Sequence, residues 1–396
     1  MTALSNPPLA LYVHFPWCVR KCPYCDFNSY SLHGELAEDR YVVALERDLE
    51  SQAIEVRGRE VSAIFLGGGT PSLFSPGAIA RVLTAARRHL AVTVDAEVTM
   101  EANPGTLERG RFAEYRAAGL NRVSLGAQSF DARRLEKLGR IHSPEETRRA
   151  AEELHAAGLG NFNLDLMYAL PEQDVAAAIS DIEAALALDP AHVSHYQLTL
   201  EPGTVFAAEQ PALPDDDIAA EMLTACRDRL TAAGFAQYEV SAYARPDRRC
   251  RHNLTYWTFG DYLGIGAGAH GKLSCARSGT ITRTTQAREP RRYLAASPAV
   301  PARRRIAASE LPFEFMLNAL RLTDGFTVDL FERRTGLAWA SVAARMQALA
   351  RRGLVVLEPS AARPTELGLR FLNDALLAFL EETPKTTGAA RLSTVL

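Results

Sequence analysis

The chain has 396 residues, 47% of them hydrophobic, with a formal net charge of −3, which allows two or three domains around a sizeable core. That charge gives no electrostatic footprint for nucleic acid, and no apolar run reaches the roughly 18 residues of a membrane span. The opening residues lack the charged region and long apolar stretch of a secretory signal, so a cytoplasmic location is expected, with peripheral membrane contact at most.

Apolar runs predict strands at residues 9–15, 63–66, 96–101, 122–125, 162–167 and 193–198. Helical patterns lie between them at 37–52, 77–89, 107–118, 144–157 and 175–188, and another at 215–233 follows the sixth strand. Six β–α units imply an α/β fold with a parallel sheet and right-handed crossovers, a partial (β/α)6 TIM-like barrel. Composition changes near residue 280, and the Arg-, Thr- and Pro-rich stretch 278–305 reads as an exposed connection. Helix patterns at 309–322, 328–335, 339–352 and 366–380, interrupted by the apolar stretch 354–357, predict a winged-helix-like C-terminal domain. The expected division is a barrel at 1–240, an extension at 241–305, the C-terminal domain at 306–382 and a disordered tail at 383–396.

Six cysteines are too few for a disulfide framework. Three of them, Cys18, Cys22 and Cys25, stand in the run His14-Phe-Pro-Trp-Cys-Val-Arg-Lys-Cys-Pro-Tyr-Cys directly after the first strand. Three thiolates can cap three corners of an iron–sulfur cubane and leave the fourth iron for a small-molecule chelate. Arg20 and Lys21 would offset the negative charge of such a cluster. The alternative is a zinc knuckle with His14 as fourth ligand, although zinc sites more often pair two Cys-x2-Cys hooks and no second hook exists here. Next comes Gly67-Gly68-Gly69-Thr70-Pro-Ser at the end of the second strand, where glycine lets backbone approach a ligand closely. Glu101 and Asn103 end the third strand, Gln128 follows the fourth, Arg140 stands beyond it, and Asp165 lies in the fifth. Any one of these could be a helix cap or a surface ion pair. Together they put polar groups near the ends of strands two to five, which suits a ligand with a ribose, an adenine and a zwitterionic amino acid.

The Cys-x3-Cys-x2-Cys loop after a first strand resembles the radical S-adenosylmethionine superfamily. The resemblance implies a [4Fe–4S] cluster on Cys18, Cys22 and Cys25, with the methionine amino and carboxylate groups of S-adenosylmethionine on the open iron. Tyr12-x-His14-x-Pro-x-Cys, the Gly-Gly-Gly-Thr-Pro-Ser run, Leu125-Gly-Ala-Gln-Ser-Phe and the C-terminal domain narrow the match, over roughly residues 8–380. They resemble the oxygen-independent coproporphyrinogen dehydrogenase group, and within it the branch regarded as heme chaperones. The implied S-adenosylmethionine contacts are Tyr12, Tyr24, Gly68, Gly69, Thr70, Glu101, Gln128, Arg140 and Asp165.

Two departures count against the dehydrogenase. That enzyme carries a further cysteine two positions after the last cluster ligand, where this chain has Phe27, and it has a longer segment before the first strand. His252-Asn-Leu-Thr-Tyr256-Trp257 instead matches a heme-associated motif of the chaperone branch, which implies heme contact by His252, Tyr256 and Trp257. This segment is expected just beyond the barrel strands, near their open end. Cys250 and His270 are further candidate iron ligands, and an ordinary aromatic turn is the alternative reading of the segment. The expected function is heme binding and transfer, with the cluster, S-adenosylmethionine and heme as cofactors. Oxygen-independent coproporphyrinogen III dehydrogenase is the alternative. Expected partners are hemoproteins that accept heme, membrane respiratory enzymes among them, and a second copy of the chain in a homodimer.

Overall fold

Short apolar strands and capped amphipathic helices alternate through the first two hundred residues and build one sheet covered by helices. The computed structural model describes residues 4–105, 111–296 and 300–380; the tail expected at 383–396 and the start of the helix expected at 107–118 lie outside the described residues. Six strands run parallel: β1 (Leu9–Phe15), β2 (Glu60–Gly68), β3 (Ala91–Ala102), β4 (Arg122–Gln128), β5 (Phe162–Tyr168) and β6 (His192–Gln197). Helices Glu38–Ala53, Pro76–His89, Phe112–Ala118, Pro144–Ala156 and Val175–Leu186 connect them, and Asp216–Ala232 follows β6. Helix starts are set by side chains that accept orphan backbone N–H groups. Ser75, Asp174 and Asp215 do so, and Ser143 forms a reciprocal capping box with Glu146.

Strand alternation divides the two faces of the sheet. On β1, Leu9, Leu11, Val13 and Phe15 join the large apolar core under the helices. Ala10, Tyr12 and His14 take the opposite, inner face, where Ala10 packs with Ala63 and Tyr262. That inner face carries the polar residues of the site.

The sheet continues beyond both ends of the predicted six. β7 (Ala242–Ala244) lies antiparallel to β6, with the two-residue strand Ala236–Gln237 at that edge. On the far side, β8 (Asp261–Ile265) pairs in parallel with β1, and β9 (His270–Cys275), β10 (Thr280–Thr285) and β11 (Ala302–Arg305) extend it antiparallel. The stretch 278–305 is therefore not a connection. Threonines favour its pleated, half-buried surface, and the arginines of β11 are exposed on the sheet's edge, where charge discourages edge-to-edge pairing.

The C-terminal domain has helices Leu311–Ala319, Val328–Thr335 and Ala340–Arg351, and a three-stranded sheet of β12 (Phe326–Thr327), β14 (Ala361–Pro364) and β13 (Val355–Leu357), in that spatial order. The expected terminal helix is two short ones, Glu366–Arg370 and Leu372–Leu377, broken at Phe371, which leaves helical geometry with ψ 39°. Among the described residues, no helix is long and apolar enough to cross a membrane.

Candidate functional site

Cys18, Cys22 and Cys25 stand on the loop that leaves β1. The loop is closed where Trp17–Cys18 pairs with Tyr30–Ser31, and Lys21 Nζ donates to the carbonyls of Phe27 at 3.0 Å and Ser29 at 3.1 Å. Lys21, expected to offset cluster charge, thus also ties the loop shut. All three thiols are free and half-buried. Burial pushes the Cys18 and Cys25 thiols up, and Ser29 Oγ lies 3.7 Å from Cys25 Sγ. Arg140 Nη1 lies 3.5 Å from Cys22 Sγ, so a fixed cation faces the thiols. Tyr24, between two of the cysteines, packs its ring toward Phe206 with centroids 6.2 Å apart.

His14 is spoken for on both ring nitrogens. Nδ1 accepts from Tyr12 Oη at 3.0 Å, and Nε2 faces the Asn28 carbonyl at 2.9 Å. Burial holds its pKa down to about 4, so the ring is neutral. It is not a free fourth zinc ligand. Among the described residues, no three His, Cys, Asp or Glu side chains gather at the spacing of a single ion. A tetrahedral zinc site needs that convergence, whereas a cubane offers each thiolate its own iron.

The glycine run is pinned to the same loop. Gly69 N–H donates to Phe15 O at 2.6 Å and Thr70 N–H to Trp17 O at 2.8 Å. Gly68 has φ +112°, and a Cβ there would fall 2.3 Å from the His14 ring. Only glycine fits that backbone and that approach. Its N–H donates to Glu101 Oε2 at 2.9 Å. Asn103 Nδ2 donates to Thr70 Oγ1 at 3.0 Å, and Arg140 donates to Asn103 Oδ1 and to Gly126 O. Gln128 closes β4 at φ +65°, just after a register shift against β5. A left-handed non-glycine residue is strained and is commonly held so at functional sites. Asp165 accepts from Ser124 Oγ and Asn163 Nδ2, both at 2.9 Å. Burial raises the pKa of Asp165, and lifts that of Glu101 to about 7.

Tyr12, Gly68, Gly69, Thr70, Glu101, Gln128, Arg140 and Asp165 thus share the inner face and upper strand ends beside the cysteine loop. Sequence reasoning missed Ser124 and Asn163, which hold Asp165. Their only signal was a polar residue at alternate positions of strands otherwise apolar. The donor set suits the expected groups, with three thiols on one loop, a guanidinium beside them, and carboxylates with buried oxygens.

The His252–Trp257 segment is not at the open end. It forms a helix, Arg251–Trp257, anchored where Glu97 accepts from Arg251 N–H at 2.9 Å and His252 N–H at 3.3 Å. Glu97 stands four residues before Glu101 on β3, about 13 Å back along the strand, so the segment underlies the site from the opposite side. His252 is 3% exposed, with its ring centroid 4.8 Å from Phe65, 6.1 Å from Tyr12 and 4.8 Å from Tyr256. Its Nδ1 is buried without a hydrogen-bond partner among the described residues. Burial depresses its pKa to about 3, which leaves a neutral imidazole with a lone pair. The donor chemistry fits an iron ligand, but this packing admits a porphyrin only if the helix shifts. Trp257 lies under the Arg321 guanidinium, 4.3 Å from the ring centroid. Cys250 is buried with its thiol 3.5 Å from Glu97, and burial pushes that thiol up to about 12. His270 sits apart on β9, 3.4 Å from Thr285 Oγ1.

A cysteine loop after the first strand of a parallel α/β sheet, with a glycine run on the second, defines a radical S-adenosylmethionine protein. Residues 12–184 match the Radical SAM superfamily and residues 306–371 the HemN C-terminal domain. A solved structure, "Coproporphyrinogen III oxidase (HemN) from Escherichia coli is a Radical SAM enzyme", has the same fold, with a TM-score of 0.79 at 23% identity over 94% of this chain and 90% of that one. "Heme chaperone HemW" of Escherichia coli (strain K12) is 47% identical over 376 residues, 95% of this chain and 99% of that one. The Haemophilus influenzae protein of the same name is 42% identical, with the same coverage of both chains. "Radical S-adenosyl methionine domain-containing protein 1, mitochondrial" of Bos taurus is 39% identical over 94% of this chain and 87% of that one. The chain belongs to the HemW family.

Proposed function

We propose that this chain binds heme at the His252–Trp257 segment and passes it to acceptor hemoproteins. We further propose that Cys18, Cys22 and Cys25 hold a [4Fe–4S] cluster and that the upper strand ends hold S-adenosylmethionine. The observation that carries the reading is near full-length identity to chains named as heme chaperones, joined by the departure at Phe27, which is 53% exposed on the cluster loop where the dehydrogenase has cysteine. A reduced cluster with S-adenosylmethionine on its open iron would supply one-electron, radical chemistry at this site. The chain's own residues bind and orient. Glu101 and Asp165 present carboxylate oxygens for ribose hydroxyls, and the glycine run offers close-approaching backbone. Arg140 holds positive charge beside Cys22. His252 offers a neutral imidazole, and Tyr256 and Trp257 offer flat faces for a macrocycle.

The test is anaerobic hemin titration of reconstituted protein followed by Soret absorbance, then transfer to an apo-hemoprotein. The same protein is incubated with coproporphyrinogen III, S-adenosylmethionine and a reductant. Tight heme binding that is nearly lost when His252, Tyr256 and Trp257 are all replaced by Ala, with cluster content unchanged, supports the reading. Equal affinity in a well-folded triple variant removes the site. Appearance of protoporphyrinogen would establish the dehydrogenase instead.

A further inference from the structure

Asp165 is the end of a hydrogen-bonded line that begins at the peptide of Cys250. Cys250 N–H donates to Tyr238 Oη at 3.3 Å. Tyr238 Oη lies 2.8 Å from His192 Nε2, His192 Nδ1 lies 2.6 Å from Asn163 Oδ1, and Asn163 Nδ2 donates to Asp165 Oδ1 at 2.9 Å. Ser194 Oγ also donates to Asn163 Oδ1, at 3.0 Å. The second Asn163 amide hydrogen goes to Ser124 Oγ at 2.7 Å, and that hydroxyl donates to the other Asp165 oxygen.

With Asp165 ionised, the donors along this line are set from the carboxylate end. Asn163 Nδ2 donates to Asp165 and Ser124, which leaves Asn163 Oδ1 to accept from Ser194 and from His192 Nδ1–H. His192 Nε2 then carries no proton and accepts from the Tyr238 hydroxyl, whose oxygen accepts from Cys250 N–H. Asp165 accepts on both oxygens. His192 and Asn163 are each 1% exposed and Tyr238 is fully buried, so these partners are shielded from bulk solvent. Burial, with the Arg122 charge nearby, keeps His192 neutral, as this arrangement requires. Arg122, Glu97, Cys250 and Asp165 face the line, with Glu239 and the Arg249 guanidinium at Tyr238 and Glu101 and Tyr196 beside Asp165.

We propose that Asn163, His192 and Tyr238 are positioning residues for S-adenosylmethionine, which fix the Asp165 carboxylate from beneath and tie it to the start of the His252–Trp257 helix. The inference rests on the proposed ligand pocket and adds residues that never touch the ligand. A buried network in which every member is satisfied can hold one geometry, and loss of one member frees the carboxylate to turn.

The test is a double-mutant cycle read by calorimetric binding of S-adenosylmethionine to the anaerobically reconstituted protein. His192→Phe is expected to weaken binding about tenfold, equivalent to about 1.4 kcal/mol, and to do so by less than about twofold when Asp165→Ala is already present. His192→Gln, which can accept from Tyr238 and donate to Asn163, should restore most of the affinity. Tyr238→Phe removes a single hydroxyl and should weaken binding in the same direction, should His192→Phe fail to fold. Equal losses in both backgrounds would show a general structural role and overturn the proposal. So would an unchanged His192→Phe affinity beside an impaired Asp165→Ala. A wild-type protein that binds no S-adenosylmethionine overturns the pocket itself, and this inference with it.

Discussion

Glu101 lies between two charge states near neutral pH. Burial foremost, with Asp165 nearby, lifts its pKa to about 7, against the single stabilising N–H of Gly68. S-adenosylmethionine carries a sulfonium, so it favours the ionised carboxylate. Below pH 7 binding must first displace a proton, and affinity falls as pH drops, by up to about tenfold per unit. Above pH 8 it should level off. Calorimetry at pH 6, 7 and 8 is expected to show this trend in the wild type and a shallower one in Glu101→Gln; affinity that rises as pH falls would contradict it. Glu101, Gln128 and Asp165 were legible as candidates because they are polar residues at the ends of, or within, apolar strands that follow a distinctive cysteine loop. His192, Asn163 and Tyr238 were not. Alternation along a strand tells which residues share a face, but not whether that face meets water or a filled interior. Nor does sequence show that Gln128 adopts a left-handed backbone.

At the scale of elements, β8 is the piece that sequence reasoning overlooked. Gly264 within it, with Gly266 and Gly268 just beyond its end, weakened its strand signal. Gly264 instead lets the His270 carbonyl pass, since a Cβ there would fall 1.9 Å from that oxygen. The strand starts at Asp261, whose fully buried side chain meets Arg59 Nη1 at 2.8 Å and Lys272 Nζ at 2.9 Å and accepts from Ser274 N–H and Oγ. Burial opposes its ionisation, but Lys272, the Ser274 N–H and Arg59 together outweigh that and hold its pKa below the ordinary value. Asp261→Ala leaves a buried ammonium without its counter-charge and is expected to cost about 3–5 kcal/mol. Replacing Lys272 with Met in the same protein should recover much of that loss. Denaturant unfolding of the single and double variants checks both; a loss under about 1 kcal/mol for Asp261→Ala would refute the pairing's importance. The helices were read closely because their caps and apolar periods are local, whereas β8 depends on a partner far away in sequence.

Across the whole molecule, the C-terminal domain rests on the segment beneath the site. Phe259 packs edge-on to Phe315 at 5.7 Å, Arg321 Nη2 pairs with Glu239 at 3.1 Å, and Thr323 N–H donates to the Tyr238 carbonyl at 3.1 Å. Phe259 is 1% exposed, so Phe259→Ala should cost about 3–5 kcal/mol. The expected readout is earlier proteolytic release of a C-terminal fragment; digestion at the wild-type rate would count against this contact as the anchor. The pairing of β1 with β8 also sets an order of events during synthesis. The two strands are separated by about 250 residues, so at ordinary ribosomal rates one edge of β1 waits roughly 10–50 s for its partner. Over that interval the cysteine loop also lacks two of its ties, because Asn28 is held by the carbonyls of Ala267 and Arg288. The loop reaches its final shape only after nearly three quarters of the chain has been made, so metal delivered earlier meets three thiols on a loop that is not yet fixed.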